Sequence, residues 1–191
     1  MRQSIRRVQR TPLILPINIC PQQVANLVID IQERTREVLT YRHGTVDDGL
    51  ARVLEMIRLA RNAGSLIVLV KFNPSVNGDI LPEIKDAAGS DALIISKIWW
   101  SSFKDTDLDE ILNGRRIKVL VLNGFNRSGC ILSTGEHGIK RGYEIATSDQ
   151  IMFGHRKFDR RKEITAAMEF YKHRGHLYEK IGDLATAVGW Q

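Results

Sequence analysis

The sequence predicts an α/β fold in which helices cover both faces of a mostly parallel sheet of about six strands. Short apolar runs alternate with helical segments along the chain, and the runs are as continuously apolar as strands buried on both faces. Glycines follow several of the helical segments, where they commonly end helices. Repeated strand–helix units of this kind favour a three-layer α/β/α arrangement.

The first half of the chain contains three predicted strands and one long helix. The strands cover residues 26–31, 65–72 and 92–96. Residues 47–62 place their apolar side chains on one helical stripe and end before Gly64, which is typical of a helix. Residues 73–89 contain two prolines and two glycines, and we predict that they are mainly loop.

The second half is organised around a strand, a turn and a helix. Residues 119–122 are four consecutive apolar residues and predict a buried strand, and Asn123-Gly124 predicts the turn that follows it. A helix is predicted over residues 130–141, Gly142 ends it, and a strand follows over residues 143–146. Further helices are predicted at 108–112, 160–173 and 183–188, and a last strand at 177–181.

The length of 191 residues suits one domain, which we place at residues 25–191 behind an N-terminal arm of residues 1–24. This arm is basic, because Arg2, Arg6, Arg7 and Arg10 all precede the first acidic residue, Asp30. The net charge of +6 would help an anionic substrate to approach. It is not concentrated on one helix and no nucleic-acid-binding motif accompanies it, so we expect no nucleic-acid partner.

Hydropathy and cysteine content indicate the expected compartment. The chain has no apolar run of ~18 residues, so we expect no membrane contact. The two cysteines, Cys20 and Cys130, do not make a disulfide framework. A reducing and therefore cytoplasmic location is expected.

Three reactive side chains follow three predicted strands. Asp30 lies near the end of the first strand, Lys97 follows the third, and Cys130 follows the turn after the fourth. Because parallel strands end at the same edge of a sheet, a carboxylate, an ammonium and a thiol could meet in one pocket. Each alone has an ordinary explanation, as a turn residue, a surface charge and a small buried apolar residue. Their coincidence favours a functional site.

The sequence around these side chains resembles the isochorismatase-like cysteine hydrolases, which include nicotinamidases, N-carbamoylsarcosine amidohydrolases, maleamate amidohydrolases and isochorismatases. The matching segments are Val28-Ile29-Asp30-Ile31-Gln32, Lys97 with the following Trp100-Ser101-Ser102-Phe103, Gly124 six residues before Cys130, and Gly142-Tyr143. The resemblance implies a small-molecule substrate and a hydrolase that forms a homo-oligomer.

Hydrolysis of an amide or ureido C–N bond needs a nucleophile, a base and an acid. Cys130 would attack the carbonyl and form a thioester, and Asp30 would move the protons. Lys97 and the helix N-terminus would help to populate the thiolate, because a free thiol has a pKa near ~8.5. The resemblance implies that the backbone amides of Asn126 and Cys130 form the oxyanion hole, beside a cis peptide bond between Phe125 and Asn126.

The chain also departs from the family pattern. Nicotinamidases carry metal-binding histidines after the second strand, whereas residues 71–77 contain no histidine, so we expect no metal and no other cofactor. Arg127 stands where the family usually has threonine. We hypothesise that it binds a carboxylate of the substrate, and an outward or subunit-bridging position is an equal alternative. Trp100 and Phe103 are candidate walls of the substrate pocket, although core packing or a subunit interface would also explain them.

Two other function classes stay open at this point. One is a vinyl-ether hydrolase of the isochorismatase kind, against which the presence of Cys130 argues, since the resemblance implies that those enzymes need no thiol there. The other is a catalytically inactive module that serves binding or oligomer assembly. A decayed site would be expected to have lost at least one of Asp30, Lys97 and Cys130.

Overall fold

A computed structural model describes residue 15, residues 19–157 and residues 159–190. Most of the predicted N-terminal arm therefore lies outside the described residues. Its described part includes Leu15, which is buried in the hydrophobic core, and a short 3-10 helix at Pro21–Gln23 that leads into the first strand.

The described residues form one mixed sheet with helices on both sides. The strands are β1 (Val24–Ile29), β2 (Leu39–Thr40), β3 (Leu66–Phe72), β4 (Leu93–Lys97), β5 (Val119–Phe125), β6 (Glu144–Ser148), β7 (Met152–His155) and β8 (His176–Tyr178). The α-helices are α1 (Val46–Asn62), α2 (Pro74–Asn77), α3 (Pro82–Ala88), α4 (Leu108–Gly114), α5 (Cys130–Lys140), α6 (Arg161–Arg174) and α7 (Ile181–Ala187).

Six strands run parallel in the order β4-β3-β1-β5-β6-β8. The short strand β7 pairs in parallel with the last residues of β5, and β2 pairs antiparallel with β7. Two apolar clusters fill the two faces of the sheet. One lies under α1, α3 and α7, and the other under α4, α5 and α6. The predicted three-layer α/β/α fold with a mostly parallel sheet is confirmed.

The prediction that residues 73–89 are mainly loop was wrong. They contain α2 and α3, and each of these helices begins with a proline at its first position. Proline fits there because the first helical N–H has no partner within the helix and the ring already holds a helical φ. The two prolines therefore mark helix starts.

The predicted turn at Asn123-Gly124 was also wrong, because β5 continues through both residues to Phe125. Its pairing with β1 runs to Gly124 opposite Ile29. Gly124 has a φ of +108°, and a Cβ atom there would lie 2.2 Å from the carbonyl oxygen of Ile29. Glycine is therefore required where the two central strands approach each other at the edge that carries the candidate site.

Among the described residues, none of the helices combines the length and apolar character needed to cross a bilayer.

Candidate active site

Asp30 directly follows the central strand β1, and 1% of its surface is exposed. Its φ of +56° is unusual for a residue other than glycine and turns the chain sharply at the strand end. Thr35 holds this turn, because its hydroxyl donates to the backbone oxygen of Asp30 at 2.9 Å and accepts from the amide of Gln32 at 2.9 Å. The turn and its hydroxyl bond fix the position of the carboxylate.

Lys97 is the last residue of β4, two strands away from β1. Its Nζ donates to Oδ2 of Asp30 at 2.8 Å and to the backbone oxygen of Trp100 at 3.3 Å, and it lies 4.6 Å from the ring centre of Phe72. Both charged side chains are buried. Burial of an ion pair is tolerated when each charge has partners of this kind.

Cys130 begins α5, and 8% of its surface is exposed. The pKa of its thiol is raised to about 12, chiefly by burial and then by the charge of Asp30, and Lys97 opposes both effects. Burial also raises the pKa of Asp30 to about 6, against the lowering effect of Lys97 and of a hydrogen bond with Cys130. The three side chains are therefore in mutual contact range.

Lys97 lowers the pKa of Cys130, in the direction expected of a nearby cation, but burial and the charge of Asp30 outweigh its effect. The raised pKa of Cys130 favours the thiol over the thiolate at rest. The arrangement suits general-base chemistry, in which the carboxylate removes the thiol proton as the sulfur attacks. Oδ1 of Asp30 accepts no well-formed hydrogen bond from the described residues and is available for that proton.

The backbone between β5 and α5 forms a tight loop around the thiol. The peptide bond between Phe125 and Asn126 is cis. The carbonyl oxygen of Asn126 accepts from the amides of Gly129 at 3.0 Å and Ile131 at 3.1 Å, which folds the loop over the start of the helix. Within the described part of the chain, no protein acceptor pairs with the amide of Asn126 or of Cys130. Both N–H groups are available to an oxyanion.

Arg127 does not take the position that we expected of a substrate ligand. Its side chain is fully buried, Nη1 donates to Asp149 at 2.6 Å, and Nε lies 3.3 Å from a carboxylate oxygen of Asp159. It does not line the cavity beside Cys130. The hypothesis that Arg127 binds a substrate carboxylate was therefore wrong, and so was the alternative of an outward position.

The Cys130 thiol opens into a cavity of about 730 Å³. Its lining residues are Asp30, Arg34, Thr35, Val38, Phe72, Asn77, Trp100, Phe125, Asn126, Ser128, Gly129, Cys130, His155, Arg160 and Glu163. Trp100 contributes to the wall, and 65% of its surface is exposed. Phe103 does not, because it is buried and stacks on Tyr143 with ring centres 5.8 Å apart. The prediction of Phe103 as a pocket wall was wrong.

Sequence reasoning missed the charged residues of this cavity. Arg34 follows Asp30 by four residues, so its place near the same sheet edge could have been inferred. Arg160 immediately precedes α6, and Glu163 lies in its first turn. No local sequence pattern links this helix to the strand ends. The position of Arg160 and Glu163 depends on how α6 packs after β7 in the chain.

The segment that would correspond to the metal-binding stretch of nicotinamidases offers poor ligands here. The side-chain Nδ2 of Asn77 donates to the backbone oxygen of Phe72 at 2.8 Å, and Asp79 forms ion pairs with Lys71 and Lys85. Across the described ranges, no group of three or more histidine, cysteine, aspartate or glutamate side chains is arranged to hold a metal ion. These residues do not fit a histidine-containing metal centre.

Comparisons with known proteins agree with this fold. Residues 24–149 match the family model of the isochorismatase domain. A cysteine hydrolase from Pseudomonas syringae has a similar structure, with a TM-score of 0.77 at 15% identity over 96% of this chain and 100% of that one. A ribonuclease from Caenorhabditis elegans has a TM-score of 0.75 at 19% identity, covering 90% and 83% of the two chains. A pyrazinamidase from Pyrococcus horikoshii, solved with zinc, has a TM-score of 0.68 at 23% identity, covering 83% and 99%.

Proposed function

Because the chain belongs to the isochorismatase family, we propose that it is a cysteine hydrolase that cleaves an amide or ureido C–N bond of a small molecule. One observation carries this proposal. The Asp30 carboxylate and the Cys130 thiol meet at the wall of one cavity, and the buried Lys97 ammonium lies behind them at 2.8 Å from the carboxylate, although the three residues are far apart in the sequence. A base, a cation and a nucleophile are the groups that such a reaction requires.

The first half of the reaction forms a thioester. Asp30 takes the thiol proton while Sγ of Cys130 bonds to the substrate carbonyl carbon, and the carbonyl oxygen gains the negative charge. The amides of Asn126 and Cys130 donate to this oxyanion, and one such donor contributes about 3–4 kcal/mol in enzymes where it has been removed. Asp30 then gives the proton to the leaving nitrogen, and the C–N bond breaks.

The second half releases the product. A water molecule gives a proton to Asp30 and its oxygen attacks the thioester carbon, so that a second oxyanion forms at the same amides. The C–S bond breaks, and the sulfur recovers the proton from Asp30. The Lys97 ammonium, 2.8 Å from Oδ2 of Asp30, balances the negative charge that moves between the carboxylate and the sulfur.

A screen for ammonia release tests this function. The purified protein is incubated with small primary amides and ureido acids, and the Cys130→Ala variant is the blank. We expect ammonia from a subset of the compounds with the native chain and none with the variant. Equal release from both proteins, or no release from any compound, would contradict the proposal.

The same experiment includes a labelled RNA oligonucleotide, because one protein of similar fold is named a ribonuclease. We expect no cleavage that depends on Cys130. If the native chain cleaves RNA, Cys130→Ala does not, and no amide releases ammonia, then the function is hydrolysis of a phosphodiester and not of a C–N bond. Hydrolysis of a vinyl ether that persists in Cys130→Ala would favour the isochorismatase reaction instead.

A further inference from the structure

Two guanidinium groups line the cavity into which the Cys130 thiol opens. Arg34 and Arg160 both belong to its wall, and both residues are exposed to solvent there. Within the described residues, neither has a carboxylate within ion-pair distance. Glu163 is the remaining charged residue outside the catalytic pair, and it is also without an ion pair among them. Two positive charges against one negative charge make the unpaired charge of the cavity wall positive.

Arg34 is held in place by backbone groups. Its Nη1 donates to the backbone oxygen of Val76 at 2.8 Å, and its own amide donates to the backbone oxygen of Asn77 at 3.1 Å. Both acceptors belong to α2. The bond to Val76 uses only Nη1 of the guanidinium, so the other guanidinium N–H groups remain available to a ligand. A side chain that is already fixed loses less entropy when it binds.

The same cavity also has apolar walls. Val38, Phe72 and Phe125 line the same cavity. At Asp30 and Lys97 the opposite charges are already paired with each other. A ligand that fills the cavity therefore meets the thiol, a carboxylate whose charge is already paired, apolar side chains and two arginines.

We propose that Arg34 and Arg160 bind a carboxylate of the substrate, so that the preferred substrates carry an amide or ureido group at one end and an anionic group at the other. The proposal rests on the C–N hydrolysis proposed above and adds the substrate class. An arginine fork matches the two oxygens of a carboxylate and keeps its charge at every working pH. Binding of the substrate carboxylate, which the buried Arg127 cannot perform, is thus assigned to Arg34 and Arg160.

Paired substrates test this assignment. Succinamate, glutaramate and 4-carbamoylbenzoate are each compared with the corresponding diamide, which has nearly the same shape and no charge. In Arg34→Gln and Arg160→Gln, we expect kcat/KM for the acids to fall by about ten- to a hundredfold, as for lost charged hydrogen bonds. The diamides should change by less than about twofold. Equal losses on acids and diamides, or no loss on the acids, would overturn the proposal.

Two neighbouring arginines serve as matched controls. Arg36 is close to Arg34 but pairs with Asp47 and Glu83 and does not line the cavity. Arg161 is exposed beside Arg160 and is also absent from the cavity wall. In Arg36→Gln and Arg161→Gln we expect the ratio of acid to diamide turnover to stay at the native value. An equal fall of this ratio in the controls would overturn the proposal, because the preference for acids would then depend on the net charge of the protein and not on the arginines of the cavity wall.

Alkylation of Cys130 separates this proposal from the proposed function, since it requires no hydrolysis. The rate with iodoacetate is divided by the rate with iodoacetamide, and glutathione gives the reference ratio. We expect a ratio above that of glutathione in the native chain and a severalfold lower ratio in Arg34→Gln and Arg160→Gln. If the ratio falls but no amide is hydrolysed, the anion site stands and the proposed function fails. If amides are hydrolysed but the ratio does not change, the anion site fails and the hydrolase stands.

Discussion

Nη1 of Arg127 donates to Oδ1 of Asp149 across 2.6 Å in the interior of the protein, directly behind the loop that precedes the nucleophile. Asp159 lies on the other side of the same guanidinium, and it also accepts from the hydroxyl of Ser128 at 3.3 Å. The backbone amide of Arg127 donates to Phe153 at 2.8 Å. The loop is therefore tied through its side chains and its backbone to the segment around β7.

The first prediction concerns this anchor. In Arg127→Met the carboxylate of Asp159 loses its cationic partner, and breaking a buried pair by removing one member typically costs about 3–5 kcal/mol. We expect the free energy of unfolding in urea to fall by about 3 kcal/mol. Turnover of any substrate that the native chain hydrolyses should decrease equally for charged and neutral compounds, because the loop is displaced and no substrate contact is lost.

Arg42→Ala is the control for this variant. Arg42 pairs with the same Asp149 at 3.2 Å, but its side chain is about half exposed. Exposed pairs contribute at most about 1 kcal/mol. Unchanged stability in Arg127→Met, together with a selective loss of acidic substrates, would restore the substrate-binding role that the geometry denies to Arg127.

The second prediction concerns the pH dependence of the proposed reaction. Burial raises the pKa of Asp30 to about 6, and only the ionised carboxylate can accept the thiol proton. Activity should therefore rise as the pH increases through about 6 and should be lost below it. A profile of kcat/KM between pH 4.5 and 8 measures this. A profile that stays flat down to pH 4.5, as for an aspartate with the ordinary pKa of about 3.9, would contradict the role of the buried carboxylate.

The third prediction concerns Lys97. Its charge lowers the pKa of Asp30 and also that of Cys130, so its removal should raise both. In Lys97→Met we expect the midpoint of Cys130 alkylation by iodoacetamide to move to higher pH than in the native chain. In Asp30→Asn the rise in alkylation rate that reflects ionisation of the Asp30 carboxyl should be absent from the pH profile. An unchanged profile in Lys97→Met would show that the ammonium does not act on the thiol.

The sequence was sufficient to predict which side chains meet, because the rule behind that prediction is geometric. Parallel strands end at one edge, so Asp30, Lys97 and Cys130 could be brought together without knowledge of any contact. The state of the thiol was not predictable in the same way. Its pKa depends on how deeply the sulfur is buried beside a carboxylate, and neither quantity is a property of the local sequence.

The two residues that were assigned wrongly fail for a related reason. Arg127 was expected to face the substrate because it neighbours the nucleophile in sequence, but its carboxylate partners come 22 and 32 residues later, through β7 and the loop before α6. The closeness of Phe103 to Lys97 in the sequence predicts a pocket wall, yet its ring stacks on Tyr143, which follows α5 in the chain. Pairings over such separations are set by tertiary packing and leave no periodic signal.

The fourth prediction concerns the cost of replacing Gly124, to which both the steric clash of a Cβ atom and the strain of a positive φ contribute. A Cβ atom there would lie 2.2 Å from the carbonyl oxygen of Ile29, which belongs to the central strand and cannot move without breaking the ladder. Gly142 also has a positive φ, of +90°, but a Cβ atom there would meet nothing within 4 Å. Gly142→Ala should therefore cost only the conformational term of about 1–2 kcal/mol. Gly124→Ala should cost clearly more, because it adds the clash and forces β5 away from β1. Urea unfolding of the two variants makes the comparison, and similar losses would mean that the approach of the strands at the site is not tight enough to require glycine.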